Sequence, residues 1–138
     1  MYTRTVAIRL HHTDAYGIIF FANQFKLCHD VFQEWLDDQG LILPPDRHTD
    51  LPLAVVLRAE SDYAAPIHLG DRIRIDYQTE SVGTTSFVNR FTMTNAAGTL
   101  VGRVRTVHVL IDARTSAKTP LPPAWRAALT AGLAPSGS

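Results

Sequence analysis

Cysteine is almost missing from this chain. The single thiol, Cys28, excludes an internal disulfide, leaves too few sulfur ligands for a Cys-based zinc site, and suits a reducing compartment. An excess of charge is missing too. Thirteen basic residues balance thirteen acidic ones, so no long-range field gathers nucleic acid or an anionic membrane, and an anionic ligand must be held by local contacts. The opening Met1-Tyr2-Thr3-Arg4 runs directly into an alternating pattern, without the long apolar stretch of a signal peptide or membrane span, and a cytoplasmic location is expected. No Gly-x-Ser-x-Gly elbow occurs, and His11-His12 lacks the helical spacing of a metalloprotease pair. Serine-hydrolase and zinc mechanisms therefore have no support, and no cofactor is implied. Repeats and low-complexity tracts are absent as well. What is present, 46% hydrophobic and 19% charged residues, suits a globular protein. A chain of 138 residues fits one domain, residues 1–138, burying roughly two thirds of its unfolded surface.

Over residues 3–10, Val6, Ile8 and Leu10 alternate with Thr5, Ala7 and Arg9, the period of a strand with one covered face. The segment His11-His12-Thr13-Asp14-Ala15-Tyr16-Gly17 breaks that period with polar side chains and a glycine and reads as a loop. Beyond it, Phe21, Phe25, Cys28, Val31, Phe32, Trp35 and Leu36 recur at steps of three and four. Asn23, Lys26, Asp30, Gln33, Glu34 and Asp37 fall between them, which specifies an amphipathic helix. It is expected to begin between Phe20 and Asn23, with Asn23 available as a cap, and to stop before Gly40, a residue suited to the left-handed conformation past a helix end. Eighteen residues or so make a rod of roughly 27 Å, enough to cross a small sheet.

Pro44-Pro45 and polar neighbours mark residues 41–50 as a loop, and only strand patterns follow. Leu53, Val55 and Leu57 form one set, Ile73, Ile75 and Tyr77 a second, Phe87, Phe91 and Met93 a third. After a turn at Asn95-Ala96-Ala97-Gly98, residues 100–111 form the last. A short helix from Pro122-Pro123 is expected over residues 122–133, and Ser136-Gly137-Ser138 reads as loose. One strand, one long helix and four more strands specify an α+β fold, an antiparallel sheet wrapped around one central helix. Its outer face and edges need charges or a partner, so a homodimer or homotetramer is expected.

Three separated motifs resemble one family in the right order. Thr13-Asp14-Ala15-Tyr16-Gly17-Ile18-Ile19-Phe20-Phe21-Ala22-Asn23 is similar to an Asp-x-Asp-x-x-Gly-hydrophobic run leading into an Asn at the start of a long helix. Ala65-Pro66-Ile67-His68-Leu69-Gly70-Asp71 and Thr85-Ser86-Phe87 resemble the segments that open two later strands. On these motifs, over roughly residues 3–122, the chain resembles the hotdog-fold thioesterases of the 4-hydroxybenzoyl-CoA type. Gln24-Phe25, Cys28-His29 and Trp35-Leu36 look most like the 1,4-dihydroxy-2-naphthoyl-CoA branch, whose helix carries a similar Cys-His pair.

The resemblance implies an acyl-CoA substrate, with Asp14 attacking the thioester carbonyl or activating water to do so. The amide of Phe21, in the first helical turn, is the candidate oxyanion donor. Asp14 as a mere loop cap is the plainer reading of the local sequence. Asn23 caps the helix or touches the reacting group, and Tyr16 lines the acyl pocket or packs under the loop. His29 takes the position of an acid that contacts a ring hydroxyl in the hydroxybenzoyl enzyme, and either binds a phenolic group or packs on the helix surface. His12 stands where the family has the first aspartate of its pair and reads as a loop residue without a function. Asp30 and Glu34 are the acids of a rival arrangement, a catalytic carboxylate on the central helix, or a solvated face. The family's basic pair before Ser-Phe is here Thr84-Thr85, which leaves Arg90, Arg103, Arg105 and Lys118 as candidates for the coenzyme A phosphates. A short-chain acyl-CoA or acyl-carrier-protein thioesterase, or a non-catalytic module that binds an acyl-CoA, are the alternatives.

Overall fold

The computed structural model describes residues 1–135; Ser136-Gly137-Ser138 lie outside the described residues. Strand β1 (Tyr2–Ala7) leads through a 3-10 turn (Leu10–His12) into helix α1 (Phe21–Asp38). Strands β2 (Leu53–Tyr63), β3 (Arg72–Val82), β4 (Ser86–Thr94) and β5 (Leu100–Ile111) follow, then helix α2 (Pro123–Ala131). All five strands form one antiparallel sheet in the order β1-β3-β4-β5-β2. Helix α1 packs against β1, β2, β3 and β5, and α2 against β3. This is the α+β arrangement expected from the order of patterns, one antiparallel sheet around a central helix, and it is the hotdog fold that the resemblance implies.

The helix ends where Gly40 demands it. Leu41 N donates to Leu36 O at 2.9 Å and Gly40 N to Asp37 O at 3.0 Å, with Gly40 at φ +71°. These are the paired bonds of a Schellman motif, and Leu41 is buried beside Leu36. At its start the sequence reading needs correction. Phe20 occupies the cap position without a side-chain cap bond, and Asn23 lies inside the helix, buried. The first helical turn also faces differently than its apolar residues suggested, since Phe21 is 61% exposed while Gln24 is fully buried. The reason lies across the interface at Gly102. A Cβ there would stand 2.5 Å from Gln24 Nε2, so the glycine opens the space in which Gln24 donates to Ser61 Oγ (2.8 Å) and to Asp62 O (2.9 Å). Those two bonds tie the helix start to β2.

Two strands depart from their patterns. β1 stops at Ala7 because Ile8 pairs with the β2–β3 connection, its amide donating to Asp71 O and its carbonyl accepting from Gly70 N, both at 2.9 Å. Ile8 stays in the core, whereas Leu10 turns out to solvent. In β2 the register slips between Val56 and Arg58, and this bulge leaves Val56 and Leu57 exposed at the sheet's edge. Ile73, Ile75, Tyr77, Phe87, Phe91 and Met93 all face inward as their alternation requires. Phe32 stands at the centre of the aromatic core, with Trp35, Tyr77, Phe87 and His108 at ring-centroid distances of 6.0, 5.7, 5.9 and 5.2 Å. No helix among the described residues is long and apolar enough to cross a membrane.

Candidate active site

The loop between β1 and α1 is closed on itself and pinned to the helix. Asp14 N donates to Ile18 O at 3.0 Å and Gly17 N to Asp14 O at 3.1 Å, a tight turn in which Gly17 takes φ +76°, a conformation costly for any residue with a Cβ. Asp14 Oδ1 accepts from Tyr16 N at 2.8 Å, which fixes the carboxylate's orientation through one oxygen. The carbonyl of His12 accepts twice, from Phe20 N (2.9 Å) and from Asn23 Nδ2 (2.9 Å). Asn23 therefore holds the loop onto the helix rather than capping it.

Beside this junction lies a cleft of about 510 Å³, bounded by α1 on one side and by β2, β4 and β5 on the other. Asn23, Phe25, Lys26, His29 and Asp30 line it from the helix, Val56, Ala59, Phe91 and Thr106 from the sheet, and His11 and His12 from the loop. Asn23 and His29, two of the residues expected at the site, thus share one cavity with His12 and Asp30. Asp14, on the loop, and Phe21, at the helix start, are not part of its wall, and Tyr16 is 87% exposed, with its ring neither in the cleft nor under the loop. Phe21 O accepts from Tyr63 Oη at 2.7 Å, which ties the first helical residue to the end of β2. As the first residue of the helix, Phe21 has an amide that no carbonyl of the same helix can reach.

The surroundings of two histidines in the cleft region disfavour their charged form. His12 Nδ1 accepts from Arg9 N at 2.8 Å, so the neutral ring carries its proton on Nε2. Burial pushes its pKa below the ordinary value, and the positive charges of His11 and Arg9 act the same way, opposed by Asp30. Behind His29, and stacked with it at 6.4 Å, is His108, which burial and then the charge of His29 push down from 6.5 to about 4. Of the rival acids, Asp30 lines the cleft, whereas Glu34 is bound by Arg4 at 2.8 Å in a surface network with Asp38. Among the described residues no group of three His, Cys, Asp or Glu side chains could hold a metal ion.

Residues 8–129 match the profile of the thioesterase-like superfamily. The chain belongs to that superfamily. This thioesterase-like chain is 33% identical over 122 residues to the 1,4-dihydroxy-2-naphthoyl-CoA hydrolase of Rippkaea orientalis, covering 87% of each. The hydrolase of the same name from Nostoc punctiforme is also 33% identical over 122 residues, covering 88% of this chain and 80% of that one. Among solved structures, a 1,4-dihydroxy-2-naphthoyl-CoA thioesterase from Synechocystis superposes with a TM-score of 0.87 at 26% identity, over 94% of this chain and 95% of that one.

Within this thioesterase-like fold, three of the four cations named for a phosphate contact share a groove away from the cleft. Arg90, Arg103 and Arg105 line it on the strands together with Glu60, Asp62 and Glu80. Arg105 is already engaged there by Glu80 (2.9 Å) and Glu60 (3.7 Å). Lys118 lies beyond β5, exposed. Lys26, read from the sequence only as part of the polar helix face, is the cation at the cleft itself. Thr106 and Ala59 were not picked out as site residues, and neither was His108, because a strand's inward positions carry no chemical label in an alternating pattern. The only signal was polar: His108 falls at an inward step of β5 where apolar residues were expected.

Proposed function

We propose that this chain hydrolyses an aromatic acyl-CoA, of the 1,4-dihydroxy-2-naphthoyl-CoA or 4-hydroxybenzoyl-CoA type, to the free acid and coenzyme A. The observation that carries the reading is the cleft running along α1 from the Asp14 loop. It is lined by Asn23 of the first helical turn and by His29 further along, among apolar and aromatic walls, and Asn23 is bonded to the loop that carries Asp14. An aryl group enters between Phe25, Phe91, Val56 and Ala59, and its phenolic oxygen meets His29. The thioester then lies toward the helix start, where the Asp14 carboxylate, held through Oδ1, adds to the carbonyl carbon or takes a proton from the water that does. The oxyanion meets the amide of Phe21 and the positive end of the helix, and as it collapses the C–S bond breaks and coenzyme A leaves as its thiolate. The water route gives the free acid directly, and the direct-attack route gives an acyl anhydride on Asp14 that a water then cleaves to the free acid and the regenerated carboxylate. Lys26 at the cleft wall is the local cation for the phosphates. No cofactor takes part beyond the coenzyme A of the substrate. Two copies pair through the edge of β2, where Val56 and Leu57 are exposed and Val56 lines the cleft, so that a homodimer or a tetramer of such pairs covers its open side. The free thiol of Cys28 suits the reducing cytoplasm as the place of work.

One observation favours a second reading of the carboxylate, since Asp30 lines the cleft and Asp14 does not. Thiol release from a panel of aryl and alkyl acyl-CoAs, measured on the wild type, Asp14→Asn and Asp30→Asn, decides between them. Asp14→Asn is expected to lower kcat/KM by at least about a hundredfold on a folded oligomer, and Asp30→Asn to stay within about tenfold of wild type. The opposite ranking moves the reaction to the helix. Absence of thiol release from every substrate makes the chain a binding module, and a monomer mass in light scattering refutes the pairing.

A further inference from the structure

His108 has no part in the hydrolytic scheme, yet it is the most deeply buried imidazole among the described residues, 1% exposed on β5. Its ring lies flat on Phe87, centroids 5.0 Å apart and planes within 5°, with Phe32 at 5.2 Å and His29 stacked at 6.4 Å on the side of α1. Of its two nitrogens, Nε2 is 3.0 Å from Thr106 Oγ1, and Nδ1 has no hydrogen-bond partner. That asymmetry chooses the tautomer. A proton on Nδ1 would bury an unpaired N–H, the rarer and costlier defect. A proton on Nε2 leaves only a lone pair unused and makes the ring a donor to Thr106 Oγ1.

The choice has an effect in the cleft. Thr106 lines the cavity while His108 lies behind it, out of solvent. Once Thr106 Oγ1 accepts from Nε2–H, its own proton cannot point back at the imidazole and is free to be donated into the cavity beside His29. We propose that Thr106, oriented by His108, is a specificity-determining donor for an oxygen substituent on the aromatic acyl group. His108 acts as its positioning residue. A ring oxygen would then be held from the helix by His29 and from the sheet by Thr106. A plain aryl group would leave that hydroxyl unpaired, so it is discriminated against. This rests on the aryl thioester reading above and adds the sheet side of the same site.

The test compares kcat/KM for 1,4-dihydroxy-2-naphthoyl-CoA and 2-naphthoyl-CoA in the wild type, Thr106→Val, Thr106→Ser and His108→Phe. Binding of the two free acids by calorimetry is measured alongside. Thr106→Val is expected to lower the preference for the hydroxylated compound by about threefold to tenfold, in turnover and in binding, and Thr106→Ser to restore it. His108→Phe keeps a flat ring on Phe87 but releases the hydroxyl, and is expected to lower the same ratio. Nitrogen chemical shifts of His108 are expected to report the Nε2–H tautomer. An unchanged ratio in Thr106→Val, or a proton on Nδ1, overturns the assignment. If neither thioester is cleaved by the wild type, the hydrolase reading fails, and the ratio of acid affinities in wild type and Thr106→Val still decides this one.

Discussion

Replacing His108 by phenylalanine should make the fold less sensitive to acid. Burial, reinforced by the charge of His29, holds the His108 pKa at about 4, against 6.5 for a free imidazole. The groups that surround the ring are Phe32 and His29 of α1, Phe87 of β4 and Thr106 of its own strand, and none is an acid that could stabilise a buried imidazolium. Between those two pKa values the unfolded chain binds a proton at this residue that the folded chain refuses. Stability therefore rises with pH across the window, is complete above about 6.5 and is lost as the pH falls toward 4. One pKa unit corresponds to about 1.4 kcal/mol. The loss from this one group is therefore about 1 kcal/mol at pH 5.5 and roughly 2 to 3 kcal/mol at pH 4.5. Phenylalanine retains the stacking on Phe87 and removes both the titration and the orphaned nitrogen, so at neutral pH the variant should be about as stable as wild type. Urea unfolding at pH 7.5, 5.5 and 4.5, at one protein concentration, measures the difference between the two proteins and cancels the other titrating groups. A wild-type curve that falls in parallel with the variant's would refute the argument.

Two further perturbations follow from the ties that shape the cleft. Gly102→Ala would place a Cβ 2.5 Å from Gln24 Nε2 and 2.9 Å from Asp62 O. It should cost about 1 to 3 kcal/mol in urea unfolding, and Gln24→Ala in the same background should recover part of that, because the closer of the two clashes is with its side chain. Asn23→Ala removes the bond to His12 O that holds the Asp14 loop on α1. A loss of about 1 kcal/mol in stability with a larger loss in kcat/KM is expected, and an unchanged kcat/KM would show that the loop needs no such anchor.

Much of the architecture was legible because burial on one face leaves a periodic trace. The steps of three and four from Cys28 to Leu36 belong to the stretch where α1 lies on the sheet, and the alternations of β3 and β4 belong to strands covered on one side. The trace failed where the burying partner was not a plain apolar surface. At the helix start, Gly102 made room for a hydrogen-bonded glutamine, so Gln24 went in and Phe21 came out. In β2 a single bulged residue turned Leu57 outward, and a period of two cannot register an extra residue in advance.

The site divides along the same line. His29 was legible through its place on the exposed side of the helix and lines the cleft, as does Asn23, which turned out to be buried, whereas Asp14, picked out by its motif, lies outside the cleft wall. Thr106 and His108 were not legible, because they occupy inward steps of β5, and their chemistry depends on neighbours from α1 and β4 that no local pattern names. Three imidazoles, two lining the cleft and one behind it, show how far surroundings decide what a ring can do. His12 is fixed as an Nε2 donor by the Arg9 amide that fills its other nitrogen. His108 is pushed into the same tautomer by the cost of burying an unpaired N–H. His29 stands exposed on the helix with neither restraint, and so is the ring able to act as donor or acceptor toward what enters the cleft. The cavity thus holds one fixed ring donor, His12 Nε2, and one adaptable ring, His29, while His108 reaches it only through Thr106. This is why the hydroxylated substrate, rather than the bare aryl thioester, is the one the cleft should prefer.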